Sequence, residues 1–555
     1  MHALPFSLRG FLVDLFVQSI YPAQIDIARG KIIAITPLTA DDSFEDFFIL
    51  PGFIDSHVHI ESSMLIPSEF ARIAVTHGTV ATVSDPHEIA NVCGLEGVEF
   101  MINNGKKVNF KFNFGAPSCV PATAFETAGA SLNSDDVRRL LEKDDIKYLS
   151  EMMNFPGVLN HDEEVGKKIN HAKELHKPVD GHAPGLRGAD AKKYIDAGIS
   201  TDHECFTREE ALDKLKYGMN IIIREGSAAK NFDALIDLLH DYPDKIMFCS
   251  DDKHPDSLVA GHINHLCARA IAKGIDIFKV LKAACINPVQ HYKLDVGSLR
   301  INDPADFIVV KDLTAFAVQA TYINGECVAA NGVSFIPGVQ ERQPNHFNCH
   351  AIDATQLNYS LLKWGQADEE NIEQAYVIEA VDGQLITHKK IVPISDFIIQ
   401  DQSIYANPSK DLLKMVVVNR YFDAPVAKTF VGNFGLQKGA IASSVAHDSH
   451  NIIAVGVDDV SLAAAINLII QQKGGISCVH DTDQQIIALP VAGLMSTENG
   501  YDVAKAYTAI DAMAKEMGST LSAPFMTLSF MALLVIPHLK LSDKGLFDGD
   551  SFRLI

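Results

Sequence analysis

The chain lacks the features that mark membrane-spanning and secreted proteins. No run of 18 or more apolar residues occurs in its 555 residues, so no membrane-spanning helix is predicted. The first ten residues, M-H-A-L-P-F-S-L-R-G, lack the charged and apolar segments of a secretory leader. The nine cysteines are scattered and form no C-x-x-C pair, which is typical of reduced thiols in a cytoplasmic protein.

Positive charge is also scarce. The sequence has 47 Lys and Arg against 70 Asp and Glu, which gives a formal net charge of −23. Nucleic acids and anionic membrane surfaces need basic patches, so neither is expected as a partner. A small neutral substrate is compatible with this charge. The length predicts two or three domains, and a hydrophobic content of 47% is enough to build their cores.

Strand-like and helix-like segments alternate from residue 48 to about residue 290. The strand candidates are residues 48–55, 79–85, 108–115, 146–151, 178–182, 199–203, 220–225 and 245–251. Helical patterns such as residues 67–77, 161–176 and 231–240 separate them. Eight such units in about 240 residues predict an α/β fold of the (β/α)8 TIM-barrel type. An open doubly wound sheet is the competing fold, and the absence of G-x-G-x-x-G after the first strand disfavours it.

Other elements flank the barrel on both sides. Short β patterns with Gly and Asn turns lie before and after it, which predicts one composite β-sandwich domain from residues 1–47 and 296–336. The barrel then occupies residues 48–295. A stretch rich in Pro and Asn, residues 337–348, is typical of a linker. Residues 349–555 mix strand and helix patterns and predict a C-terminal α+β domain.

Two histidines, His57 and His59, end the first barrel strand in P-G-F-I-D-S-H-V-H-I-E-S-S-M. Side chains alternate along a strand, so residues two apart point the same way. Both imidazoles therefore aim at one place, which favours a metal ion as their common ligand. The alternative for this segment alone is two polar residues in a loop.

Other metal-compatible residues end four more strands. Glu151 ends the fourth strand, His182 the fifth, His203 the sixth and Asp251 the eighth. Active sites of such barrels lie at this end of the strands. The set suits a pair of divalent ions, either Zn, Mn or Fe(II), with Glu151 as the bridging carboxylate. Asp251 is the expected proton carrier, although the adjacent Asp252 is an open alternative.

The order of these residues resembles that of the amidohydrolase superfamily. The composite β domain resembles it too, although most binuclear members carry a carboxylated lysine where this chain has glutamate, in L-S-E-M-M-N-F-P-G-V. The further segments V-S-D-P-H-E-I-A-N-V, D-G-H-A-P-G-L, C-S-D-D-K-H-P and, near the C-terminus, G-A-I-A-S-S-V-A-H-D-S-H-N-I together resemble the bacterial adenine deaminase family.

The resemblance implies a hydrolase that converts adenine to hypoxanthine and ammonia in purine salvage. It favours Mn or Fe(II) as the two metal ions. Glu151 and Asp251 are the implied catalytic residues. Large metabolic enzymes are commonly symmetric, so a homo-oligomer is also expected.

A ring nitrogen of the purine gains charge during attack at C6 and needs a hydrogen-bond donor. The candidates for substrate binding are His87 and Glu88, after the second strand, and Glu225, after the seventh. His447 and His450, in H-D-S-H-N, are interpreted as turn residues, with a contact to the site as the alternative.

Two alternative functions stay open at this point. The first is a cyclic amidase or deacetylase of the same superfamily. The second, of a different class, is a non-catalytic barrel that serves as an assembly scaffold, in which metal ligands would be expected to be lost. The zinc-deaminase fold is excluded because the chain has no P-C-x-x-C motif.

Overall fold

The computed structural model describes residues 4–39, 41–360 and 373–555. Its centre holds eight parallel strands, named β1 to β8 in chain order. Their bounds are β1 Phe53–Val58, β2 Thr79–Ser84, β3 Lys111–Ala116, β4 Ile146–Met152, β5 Val179–Gly181, β6 Thr201–Asp202, β7 Asn220–Arg224 and β8 Ile246–Cys249. Strands β1 to β5 form one sheet and β6 to β8 form a second.

The two parallel sheets meet at both of their edges. Asp251, just after β8, forms a parallel bridge with Val58 of β1, and its backbone N–H donates to the carbonyl of His57 at 3.0 Å. At the other junction, the backbone N–H of Ser200 donates to the carbonyl of Val179 at 2.9 Å. The predicted α/β fold is therefore confirmed, but the eight strands do not form one continuous closed ladder.

The predicted first strand, residues 48–55, is in fact two strands. Phe48–Pro51 joins the flanking sheet, and β1 begins at Phe53. Gly52 separates them, and a Cβ at this position would lie 2.3 Å from Cγ1 of Val80. Only glycine allows this close approach. The break lets β1 enter the parallel sheet with every residue buried.

Helices follow the parallel strands as the sequence pattern predicts. They span Pro67–Ala74, His87–Gly105, Ser134–Leu141, Phe155–Leu159, Glu163–Glu174, Gly188–Asp196, Arg208–Lys216, Phe232–Leu235, Pro255–Ala260, Ile263–Ala272, Ile277–Leu281 and Asn287–Tyr292. Several begin at side chains that accept a backbone N–H, as Asn133, Asp162 and Thr207 do. Such caps satisfy donors that the first helical turn leaves free.

Strands from both sides of the parallel sheets form one flanking sheet of eight strands. In spatial order these are Val333–Ser334, Glu326–Ala330, Val318–Ile323, Phe307–Val310, Phe48–Pro51, Phe6–Asp14, Ser19–Ala28 and Lys31–Pro37. Phe48–Pro51 pairs with Phe307–Val310 on one side and with Phe6–Asp14 on the other. The segments before and after the barrel thus share one sheet.

The C-terminal region contains a second eight-stranded sheet. Its order is Thr387–Pro393, Gln374–Ala380, Ala427–Gly432, Leu413–Val418, Ile452–Gly456, Ala440–Ser443, Gly475–His480 and Asp483–Ala488. The helices Asp459–Gln472, Gly500–Glu516 and Pro524–Phe530 accompany it, with a hairpin of Ile398–Gln400 and Ser403–Tyr405 and a small sheet of Leu539–Ser542, Gly545–Asp548 and Arg553–Leu554.

One apolar core joins the parallel sheet to the C-terminal region. It includes Val58 and Met152 from β1 and β4 together with Phe530 and Leu541 from the C-terminal region. All nine cysteines lie in described residues and all are free thiols. Among the described residues, no helix combines the length and the apolar character that crossing a membrane requires.

Candidate active site

His57 and His59 meet at the end of β1. Both are buried, and their Nε2 atoms lie 3.1 Å apart. Nδ1 of His59 donates to the carbonyl of Asp85 at 3.2 Å, which leaves Nε2 to face the other imidazole. Metal-binding histidines commonly use their second nitrogen in this way. The predicted convergence of the two imidazoles is therefore present in the structure.

Glu151, at the end of β4, lies between three histidines from three other strand ends. Its carboxylate oxygens are 3.3 Å from Nε2 of His59, 2.7 Å from Nδ1 of His182 and 3.2 Å from Nε2 of His203. The glutamate side chain is almost fully buried, at 2% exposure. Its two oxygens thus face both the β1 pair and the β5–β6 pair, as expected of a bridging carboxylate.

Asp251 completes the group from the end of β8. Its Oδ1 lies 3.4 Å from Nε2 of His59 and 3.7 Å from Nε2 of His57, and its Oδ2 accepts from Nη1 of Arg224 at 2.7 Å. Burial disfavours the carboxylate, but Arg224 and the neighbouring histidines outweigh burial and hold the pKa of Asp251 well below its usual range. The carboxylate is therefore ionised.

Asp252 faces a different environment from its neighbour. Burial and the adjacent charge of Asp251 both raise its pKa, and its Oδ1 accepts from the hydroxyl of Ser62 at 2.5 Å. Asp252 also lines the cavity described below. Within this pair, Asp251 is the residue that contacts the two β1 histidines.

The buried cluster fits a metal site. The possible ligand atoms of His57, His59 and Asp251 lie within 4.8 Å of one another, and so do those of His57, Glu151 and His203. Nε2 of His57 and Nε2 of His59 face each other, and a carboxylate oxygen of Asp251 lies within 3.7 Å of both. Nε2 of His203 faces the carboxylate of Glu151 at 3.2 Å. Imidazole and carboxylate donors suit borderline divalent cations.

A small cavity opens on this cluster. Most of its polar lining comes from the barrel, and most of its apolar lining comes from the C-terminal region. The lining residues are His59, His87, Glu88, Glu151, Met153, His182, His203, Glu204, Asp251 and Asp252, with Leu385, His447, Asp448, Phe530 and Leu533.

Comparison with known proteins assigns the family. Residues 48–328 match the amidohydrolase family, and residues 384–553 match the adenine deaminase C-terminal domain. The adenine deaminase of Sulfurovum sp. (strain NBC37-1) is 55% identical over 550 residues, which cover 99% of both chains. That of Salinibacter ruber is 52% identical over 99% of this chain and 98% of its own. That of Borreliella burgdorferi is 50% identical over 99% of both.

The chain belongs to the adenine deaminase family. The resemblance drawn from the sequence motifs is thereby confirmed over the full length, including the C-terminal region. In this member of the family, the six residues predicted as metal ligands are brought together by the structure. They come from five strand ends and are His57, His59, Glu151, His182, His203 and Asp251.

Two of the three predicted substrate-binding residues lie at the cavity. His87 and Glu88 begin the helix His87–Gly105 and line the wall. Nδ1 of His87 is 3.0 Å from Oδ2 of Asp85. Glu88 is hydrogen-bonded through both oxygens to two histidines of the C-terminal region, His447 and His450.

Glu225, the third predicted substrate-binding residue, is not among the residues that line the cavity. Its Oε1 pairs with Nη1 of Arg269 at 2.7 Å. Side-chain alternation explains the difference, because Arg224 and Glu225 are adjacent and point to opposite faces. Arg224 is the inward residue, fully buried between Asp251 and Glu204. Arg224 reaches the site through Asp251 and Glu204, and neither Arg224 nor Glu225 is among the residues that line the cavity.

Glu204 was missed from the sequence, and for His447 and His450 the contact with the site was only the alternative interpretation. Glu204, next to His203, lines the cavity and accepts from Nη2 of Arg224 at 2.9 Å. His447 and His450 do lie in a turn, as interpreted, but that turn enters the cavity region and meets Glu88. Glu204 could have been recognised from the sequence, because it is a carboxylate next to the predicted ligand His203. No local pattern decides whether His447 and His450 reach the site, because their contact with Glu88 depends on how the C-terminal region packs.

Proposed function

We propose that this member of the adenine deaminase family hydrolyses adenine to hypoxanthine and ammonia, as a step of purine salvage. The observation that carries the proposal is the position of Glu151, buried among three histidines beside a small cavity. The full-length identity of 55% to an adenine deaminase supports the choice of adenine as substrate.

Two divalent ions are proposed as cofactors, with Mn or Fe(II) favoured and Zn compatible with the ligands. His57, His59, Glu151, His182, His203 and Asp251 would hold them, with Glu151 as the bridge. When bound, such ions lower the pKa of water towards about 7 and so supply hydroxide near neutral pH.

The chain's own carboxylate then handles the proton. Asp251 lies 3.4 Å from Nε2 of His59 and is held in place by Arg224, so its free oxygen can orient the attacking water and accept its proton. The proton then passes towards the nitrogen that leaves C6. Asp252 is the less suitable base because its carboxylate is bonded to Ser62, whereas Asp251 lies beside the two β1 histidines.

The opposite wall would bind the purine. His87 and Glu88 lie there, and we assign to them the hydrogen bonds that fix the ring during attack at C6. Glu225 has no part in this proposal because it pairs with Arg269 outside the cavity lining.

The wider organisation is proposed in the same terms. Residues 48–295 would act as a (β/α)8 barrel, residues 1–47 and 296–336 as a composite β-sandwich domain, and residues 349–555 as a C-terminal α+β domain. A cytoplasmic homo-oligomer is the expected form of such an enzyme.

An ammonia-release assay on adenine tests the function. The purified protein, loaded with Mn(II) or Fe(II) under reducing conditions, is expected to release one ammonia for each hypoxanthine formed. Hydantoin and dihydroorotate, as substrates of the competing cyclic amidases, should give no turnover. A metal-loaded protein that leaves adenine unchanged would contradict the proposal, and a metal content near zero would favour the scaffold alternative.

A further inference from the structure

A turn of the C-terminal region brings a histidine into the catalytic cavity. His447 lies in the turn between the strands Ala440–Ser443 and Ile452–Gly456, yet it lines the cavity opposite the metal-site residues. It is buried, with its ring stacked on Phe530 at a centroid distance of 4.9 Å and an interplanar angle of 28°. The imidazole is thus held in a fixed plane at the cavity wall.

Hydrogen bonds determine which nitrogen of His447 faces the cavity. Nδ1 of His447 is bonded to Oε1 of Glu88, and Nε2 of His450 is bonded to Oε2 of the same carboxylate. The backbone N–H of Ala446 donates to Nδ1 of His450 at 3.2 Å, so that nitrogen carries no proton and His450 must donate through Nε2. Glu88 therefore accepts from both imidazoles as an ionised carboxylate.

This arrangement leaves Nε2 of His447 as the free ring nitrogen. It lies 4.0 Å from Oδ1 of Asp252, the neighbour of Asp251. A carboxylate on one nitrogen and a free second nitrogen is the arrangement by which other enzymes fix a histidine for proton transfer. Burial disfavours the imidazolium, but Glu88 and Asp252 outweigh burial and raise the pKa of His447 to about 9.

We propose that His447 is a catalytic residue that delivers the proton to the amino group leaving C6, with Glu88 and His450 as positioning residues. The inference rests on the proposed deaminase function and names a residue for a step which that function leaves open.

The step balances as follows. His447 starts as the imidazolium and gives its Nε2 proton to the exocyclic nitrogen as the C6–N bond breaks. The electron pair of that bond leaves with nitrogen, which departs as ammonia. The attacking water forms the new C6–O bond, and the proton that it loses passes by way of the strand β8 carboxylates to Nε2 of His447 and restores the imidazolium. The second proton of the water stays in the product, hypoxanthine.

A leaving group that needs no proton separates this role from a structural one. We suggest measuring kcat/KM of the metal-loaded wild type and His447→Gln on adenine and on 6-chloropurine. Both substrates give hypoxanthine, but chloride leaves without protonation. General acid catalysis contributes about 10²–10⁴-fold, so His447→Gln should lose that much on adenine and less than about tenfold on 6-chloropurine.

Two further variants guard against misfolding. Glu88→Gln should lower the turnover of both substrates, because Glu88 is also proposed to bind the ring, with the larger loss on adenine, because His447 stays present but loses its charged partner. His480→Gln changes a histidine of the same region that pairs with Asp481 in a hairpin, and it should match the wild type on both substrates. Metal content and melting temperature are measured for every variant. Added imidazole should restore part of the adenine turnover of His447→Ala.

The outcomes distinguish this inference from the function it rests on. Equal losses on both substrates, or a loss below about threefold on adenine, would overturn the role of His447 while leaving the deaminase assignment intact. A wild type that releases no ammonia from adenine would overturn the assignment itself.

Discussion

The barrel and the C-terminal region contribute to the same cavity in opposite ways. The barrel supplies charged and metal-compatible side chains at the ends of parallel strands, as Glu151 and Asp251 illustrate. The C-terminal region supplies an apolar wall, including Leu385, Phe530 and Leu533, together with His447 and Asp448. The contrast teaches that the barrel holds the proposed metal site, while the C-terminal region closes the cavity and adds the proposed proton donor.

Among changes to the barrel residues, we expect the largest effect from a substitution of Glu151. Glu151→Gln removes the charge between the two groups of histidines, and we expect metal content and adenine turnover to fall together. The fall should be more than a hundredfold, because outer partners of metal ligands already account for about 10–100-fold. Metal analysis and the ammonia assay measure both effects. Full activity with two bound metals would show that Glu151 is not the bridge.

The adjacent residues Asp251 and Asp252 test which barrel carboxylate transfers the proton. Asp251→Asn should lower turnover about 10²–10⁴-fold and retain more metal than Glu151→Gln does. Asp252→Asn is the matched control, one residue away and also buried, and should reduce turnover less. The reverse ranking of the two variants would identify Asp252 as the base.

The C-terminal side predicts an effect on substrate binding. Leu533→Ala removes part of the apolar wall, and each buried methylene is worth roughly 0.8 kcal/mol, so KM for adenine should rise about five- to tenfold with a smaller change in kcat. Leu534→Ala is the control, because Leu534 is buried but is not among the residues that line the cavity. An equal rise in KM for both variants would mean that the effect is general loosening.

The smallest expected effect concerns a buried lysine behind that wall. Lys540 donates to the carbonyls of Leu385 at 2.7 Å and Phe530 at 2.9 Å, and burial lowers its pKa from 10.5 to about 7. Between these values the unfolded chain holds a proton that the folded chain lacks. The free energy of unfolding therefore rises with pH from about pH 7, by at most about 1.4 kcal/mol per pH unit.

Lys540→Met lacks this titration. The difference in melting temperature between the wild type and the variant should accordingly change in favour of the wild type between pH 7 and pH 9, by about 1 °C per kcal/mol for a chain of this length. Melting curves of both proteins across this range provide the measurement. A constant difference between the two proteins would show that Lys540 keeps its proton on folding.

Sequence reasoning succeeded where local geometry decides position. Alternation along β1 places His57 and His59 together, and the shared end of parallel strands places Glu151 near them. The end of β7 differs, because Arg224 points inward there and Glu225 pairs with Arg269. Side-chain alternation places two adjacent residues of a strand on opposite faces. Which of the two faces inward depends on how the strand pairs with its neighbours.

The C-terminal contributions were beyond local reasoning. His447 meets Glu88 across 359 positions of sequence, through the packing of a turn against the barrel mouth. No spacing rule connects two such segments. Gly52 is an intermediate case, because the glycine was visible but its close approach to Val80 belongs to the tertiary structure.

The flanking sheet has a consequence for how the protein is made. Phe48–Pro51 pairs with Phe307–Val310, and about 250 residues separate these strands along the chain. At roughly 5–20 residues per second, a ribosome needs about 12–50 s to synthesise the stretch between them. During that interval the early strand exposes an unpaired edge, so the nascent chain depends on the barrel forming between the two halves before its sheet can be completed.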